Sequence, residues 1–120
     1  MQVVRVQAFG GPEALRLEEL PTPQPGPGQA LVTVAAAGVN FIDIYHRSGA
    51  YKNPLPLAIG QEGAGTVEAL GEGVSEFRVG DRVAWTGIQG SYATHVLVPA
   101  MRLVPVPQGV SLVQAAAVTL

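Results

Sequence analysis

At 120 residues, with 48% hydrophobic and 13% charged side chains, the chain is long enough for one core and too apolar for a disordered segment. A formal net charge of −2 leaves no electrostatic footprint for nucleic acid or anionic lipid, and the absence of cysteine excludes disulfides and thiolate metal sites. The opening Met1-Gln2-Val3-Val4-Arg5-Val6 lacks the basic-then-apolar pattern of a signal peptide. The longest apolar run, Ala30 to Val39, is broken by Thr33 and too short to cross a bilayer. The expectation is a soluble, cytoplasmic protein with no nucleic-acid or membrane partner.

Val3 to Phe9 reads as a half-buried strand, with Val4, Val6 and Ala8 alternating against Arg5 and Gln7. Gly10-Gly11-Pro12 turns the chain into a second alternating strand, Leu15 to Leu20. The prolines at 21, 23, 25 and 27 make a stiff surface loop. Ala30 to Ala37 is the most apolar stretch and reads as a central strand. The period then changes: Asn40 is a suitable helix N-cap, Phe41, Ile44 and Tyr45 share a face, and Gly49 ends the short helix.

Three glycines then crowd into Gly60-Gln61-Glu62-Gly63-Ala64-Gly65, ahead of a strand from Thr66 to Leu70 and a Gly71-Glu72-Gly73 turn. Such density marks backbone that needs positive φ or close approach. A dinucleotide-binding loop requires a third glycine and a following helix, and Thr66-Val67-Glu68 supplies neither. Beyond it, Phe77 to Trp85 reads as a turn into a strand, Tyr92 to Val98 as another strand, and Arg102 to Val106 as a short one. Short strands with frequent turns predict a mainly β fold, a barrel with few short helices.

Gly60, Glu62, Gly65, Gly71 and Val74 stand at the spacings of the signature of medium-chain dehydrogenases/reductases, and Val79-Gly80-Asp81-Arg82-Val83 resembles a second motif of that family. The resemblance covers nearly the whole chain and implies the GroES-like catalytic domain over residues 1–110. The family's zinc-ligand histidine is replaced by Gln61 and its ligand cysteine by Asn40, which points to the zinc-free quinone oxidoreductase, or zeta-crystallin-like, branch. His46 and His95 lie in separate elements without ligand spacing, so they read as surface or packing residues and no metal is expected.

The resemblance further implies NADP(H) as cofactor, a quinone or α,β-unsaturated carbonyl as substrate, and a homodimeric or homotetrameric enzyme. Without a Lewis acid the acceptor must be polarised by hydrogen bonds. The catalytic candidates are Tyr51, Asn40 and Asp43, with Tyr51 eleven residues after Asn40 as in related enoyl reductases. Asn40, Tyr45, Gln61 and Glu62 are the cofactor-binding candidates, and Tyr92 is a further polar residue near the motifs. Asp43 and Glu62 are expected to orient neighbours rather than act as acids. Two alternatives stand beside this reading: an enoyl-thioester reductase of the same superfamily, and a non-catalytic GroES-like or crystallin-type module. Ser111 and Gln114 form a capping box that opens an apolar helix through residues 111–120. That helix is expected to lead into a nucleotide-binding domain, which would bind most of the NADP(H), so the chain reads as part of a longer enzyme.

Overall fold

A computed structural model describes all 120 residues. The strands are β1 (Gln2–Val6), β2 (Arg16–Glu19), β3 (Gln29–Gly38), β4 (Leu57–Ala58), β5 (Glu62–Leu70), β6 (Arg82–Thr86), β7 (His95–Pro99) and β8 (Val104–Pro105). Two short helices, α1 (Phe41–Ser48) and α2 (Leu112–Ala116), join them, with single 3-10 turns at Pro12–Ala14 and Ala100–Arg102. The fold is mainly β, as its patterning predicts.

An antiparallel sheet in the order β7-β3-β5-β6-β8 carries the main core, and a smaller sheet runs β2-β1-β4. They meet where Val3 bridges Ala93 and the Val4 N–H donates to the Tyr92 carbonyl at 2.8 Å. Val32, Val67, Val83, Trp85 and Val98 fill the core under the large sheet. Trp85 is wholly buried and gives its indole N–H to Ser91 Oγ at 2.9 Å, so its one polar atom is satisfied. Alanines 64 and 84 on the sheet meet Ala115 and Ala116 of α2, small side chains that let the helix lie close to β3, β5 and β6.

Three details differ from the sequence reading. The first strand ends at Val6, so Ala8 lies beyond it and is exposed, while Val3 and Val6 are the buried pair. The glycines at 63 and 65 sit inside β5 rather than in a turn before it. A Cβ on Gly65 would strike the Thr33 carbonyl, and one on Gly63 the Trp85 ring, so these glycines serve close strand approach. The capping box at Ser111 forms, with Ser111 Oγ accepting from the Gln114 N–H at 3.0 Å, but α2 stops at Ala116 and Thr119 turns back toward the sheet.

Helix α1 forms between the cap residues that its sequence indicates. Its apolar residues face outward, with Phe41 78% exposed and Ile44 and Tyr45 also exposed, while Asp43 and His46 are buried. Polar bonds at its N-terminus outweigh its hydrophobic periodicity.

Candidate active site

The site is assembled where the end of β3, the start of α1 and the start of β5 converge. Asn40 has extended backbone as the N-cap of α1 (φ −131°, ψ 156°). Its N–H donates to Asp43 Oδ2 at 3.0 Å, and the same oxygen accepts the Tyr92 hydroxyl at 2.6 Å. One carboxylate oxygen therefore ties the helix start to the segment that leads into β7. Burial, the hydrogen bond to Asp43 and the charge of Asp43 all push the Tyr92 phenol well above its usual range. Tyr92 holds its proton for Asp43 and is not poised as an acid. Asp43 Oδ1 is buried without a protein partner.

Glu62 is the second fixed point. It is buried at 3% exposure, and four donors surround its carboxylate. Oε1 accepts from Asn40 Nδ2 at 2.8 Å; Oε2 accepts from the N–H groups of Thr119 (3.1 Å) and Leu120 (2.9 Å) and from the Thr119 hydroxyl (2.8 Å). Burial pushes this carboxyl up, but the bonds from Asn40, Thr119 and Leu120 together outweigh it and hold Glu62 below the ordinary carboxylate value. Glu62 is thus ionised near neutral pH. Gly38 makes its place, because a Cβ there would run into the Glu62 side chain.

Gln61 turns to other partners. Its Nε2 donates to Gln89 Oε1, and Gln89 Nε2 donates to the Ala58 carbonyl at 2.5 Å. Because a carbonyl only accepts, Ala58 fixes the orientation of Gln89, and Gln89 then fixes that of Gln61. The Gln61 side-chain oxygen, Oε1, has no protein donor, while the backbone carbonyl accepts from the Ile88 N–H at 3.3 Å.

Tyr45 and Tyr51 lie toward the other end of α1, with ring centroids 5.3 Å apart in an edge-on arrangement. His46 packs edge-on against Tyr51 at 6.2 Å, a packing role. Tyr51 is 54% exposed and its hydroxyl makes no hydrogen bond to protein. The structure thus brings Asn40, Asp43 and Glu62 together, and places Gln61, Tyr45 and Tyr51 apart from that cluster. A cleft of about 200 Å³, bounded by Asn40, Asp43, Tyr92, Val39 and Arg47, opens beside it. A larger apolar cleft of about 380 Å³ shares Val39 and Tyr92.

Zinc does not fit these residues. Asn40 and Gln61, which the resemblance aligns with the ligand positions, direct their amides to Glu62 and to Gln89. No three His, Cys, Asp or Glu side chains lie close enough to hold a metal ion.

Sequence reading missed Thr119, Gln89 and Gly38. Thr119 and Gln89 act across separations of 57 and 28 residues, which no local pattern encodes. Gly38 had one available signal, a glycine ending the most apolar strand just before a helix cap. No helix is long and apolar enough to cross a membrane.

The alcohol dehydrogenase GroES-like domain family matches residues 26–108. A quinone oxidoreductase of Pseudomonas aeruginosa is 46% identical over 119 residues, covering 98% of this chain and 37% of that protein. The human synaptic vesicle membrane protein VAT-1 homolog is 41% identical over 113 residues, 91% of this chain and 29% of the relative. Among solved structures, Escherichia coli quinone oxidoreductase complexed with NADPH superposes with a TM-score of 0.97 at 36% identity, over 99% of this chain and 37% of that one. The chain spans little more than a third of the quinone oxidoreductases it matches. Barrel, motif spacing and family match agree, and the chain belongs to the alcohol dehydrogenase GroES-like domain family of the medium-chain dehydrogenases/reductases.

Proposed function

We propose that this chain is the substrate-facing catalytic domain of a two-domain, NADPH-dependent quinone oxidoreductase that works without zinc. The observation that carries the reading is the pair of amides at the family's metal-ligand positions, each hydrogen-bonded to its own partner within the chain. NADPH, when bound, supplies the hydride; the chain's own residues supply orientation and electrostatics.

Asn40 is held by Glu62 through one N–H, which leaves the second N–H of the same amide for an acceptor carbonyl. A carbonyl oxygen gains negative charge as it is reduced, so a fixed donor there favours the transition state over the ground state. Gln61 offers an acceptor oxygen, suited to the N–H of a carboxamide. Val39, Phe41 and Tyr45 form an exposed apolar and aromatic surface beside Asn40, the kind of surface a flat ring covers. Tyr51 is a free phenol at the end of that surface, and it is the second candidate donor. In this arrangement Asp43 and Glu62 position the site.

Steady-state NADPH oxidation by the two-domain enzyme tests the reading, with quinones, enones and enoyl thioesters compared as acceptors. Quinones are expected to be reduced with the highest kcat/KM. No turnover with any of the three classes would overturn it in favour of a non-catalytic module, and a clear preference for enoyl thioesters would move it to the enoyl reductases.

A further inference from the structure

We propose that Glu62 is a positioning residue that makes the orientation of the Asn40 amide depend on the docking of residues 119–120 onto β5. The inference rests on the reading of Asn40 as a donor to the cleft, and it adds a control on that donor from a segment remote in sequence.

The geometry is that of a clamp with two jaws. Oε2 is committed to three donors from Thr119 and Leu120, which fixes the plane of the carboxylate. With that plane fixed, Oε1 points at Asn40 Nδ2. The Thr119 hydroxyl has one proton and two acceptors in reach, Glu62 at 2.8 Å and the Trp85 carbonyl at 3.1 Å; the nearer, charged oxygen takes it. Gly38 limits the alternatives, because the Glu62 side chain fills the space where any Cβ would project.

If residues 119–120 leave, a buried carboxylate keeps a single donor, the Asn40 amide. A buried charge with so little compensation is strongly disfavoured, so Glu62 must take up a proton or swing toward water. A swing toward water releases Asn40, and protonation loosens it, because a neutral carbonyl oxygen is a weaker acceptor than a carboxylate. Coupling of this kind is reciprocal: loss of the Asn40 donor must in turn loosen residues 119–120.

Both directions are readable by NMR on this chain, with no turnover required. In the wild type the Asn40 side-chain amide protons are expected to be shifted and protected from exchange. Thr119→Val, which does not touch Asn40, should move those signals toward ordinary asparagine values and cut their protection about tenfold, whereas Thr119→Ser keeps the hydroxyl and should preserve them. In the reverse arm, Asn40→Ala should lower exchange protection of the Thr119 N–H severalfold. Unmoved Asn40 signals in Thr119→Val would overturn the proposal. Should that variant not fold, unchanged Thr119 protection in Asn40→Ala would overturn it alone. An absence of quinone reduction leaves these readouts in place and bears only on the function.

Discussion

Glu62→Gln removes the buried charge while keeping nearly the same shape. The variant's carbonyl oxygen can still face the three donors from Thr119 and Leu120, and its amide can face Asn40 if Asn40 rotates to present its oxygen. Bonds to a charged acceptor are worth about 1.5–3 kcal/mol and neutral ones about 0.5–1.5, so the change forfeits roughly 1 kcal/mol at each of several contacts. Relief from burying a charge offsets part of that loss. The carboxyl is held below its ordinary value by the bonds from Asn40, Thr119 and Leu120, which favours the charged acceptor over a neutral one. The net expectation is a loss of about 1–3 kcal/mol at pH 7, or roughly 4 °C in Tm per kcal/mol for a domain of this size. The sign with pH follows. Because the folded pKa lies below the ordinary value of 4.5, the contribution of Glu62 is complete above that pH and fades as pH falls through the folded value. Urea denaturation of both proteins from pH 7 to pH 3 measures the gap. Equal stability at pH 7, or a gap that widens in acid, would show that desolvation outweighs the bonds and refute the reasoning.

Tyr92→Phe leaves Asp43 Oδ2 with only the Asn40 N–H, while Oδ1 is already unpartnered, so denaturation should show a loss of about 1.5–3 kcal/mol; a change under about 0.5 kcal/mol would contradict the Asp43 anchor. Gly65→Ala forces a methyl against the Thr33 carbonyl, a backbone group that cannot swing aside, and should cost about 1–3 kcal/mol or more; wild-type stability would mean the β3–β5 approach is looser than described. Tyr51→Phe should leave stability within about 0.5 kcal/mol, since the exposed hydroxyl bonds nothing. In the two-domain enzyme it should lower kcat with enone acceptors by about a hundredfold, the scale of an oxyanion donor, and unchanged kcat with every acceptor would make Tyr51 a packing residue.

The barrel was legible because its signals are local. Alternating strands, turn residues and the glycines at 60, 65 and 71 fix their own neighbourhoods, and the Ser111–Gln114 capping box forms as its spacing requires. The site was legible only in part. Asn40, Asp43 and Glu62 were named because they lie in contiguous motifs, but the bonds that give them roles come from Tyr92 and Thr119, each about 50 or more residues away. The α1 helix shows the limit most clearly. Its hydrophobic period puts Phe41, Ile44 and Tyr45 on one face without saying where that face points, and the carboxylate of Asp43 docks on Tyr92 with that face turned out. Periodicity measures which face is apolar, not which partner the tertiary fold provides. An apolar face left open beside a cleft is itself the kind of local inconsistency expected at a functional site.

The central claim is that locked amides, with no metal, prepare this site for quinone reduction. Its most direct test is the kcat of the two-domain enzyme with NADPH and 1,4-benzoquinone, measured before and after exhaustive chelation with metal content assayed in the same samples. Turnover is expected to be unchanged at well under one zinc per chain. Turnover that disappears with chelation and returns on adding zinc would contradict it.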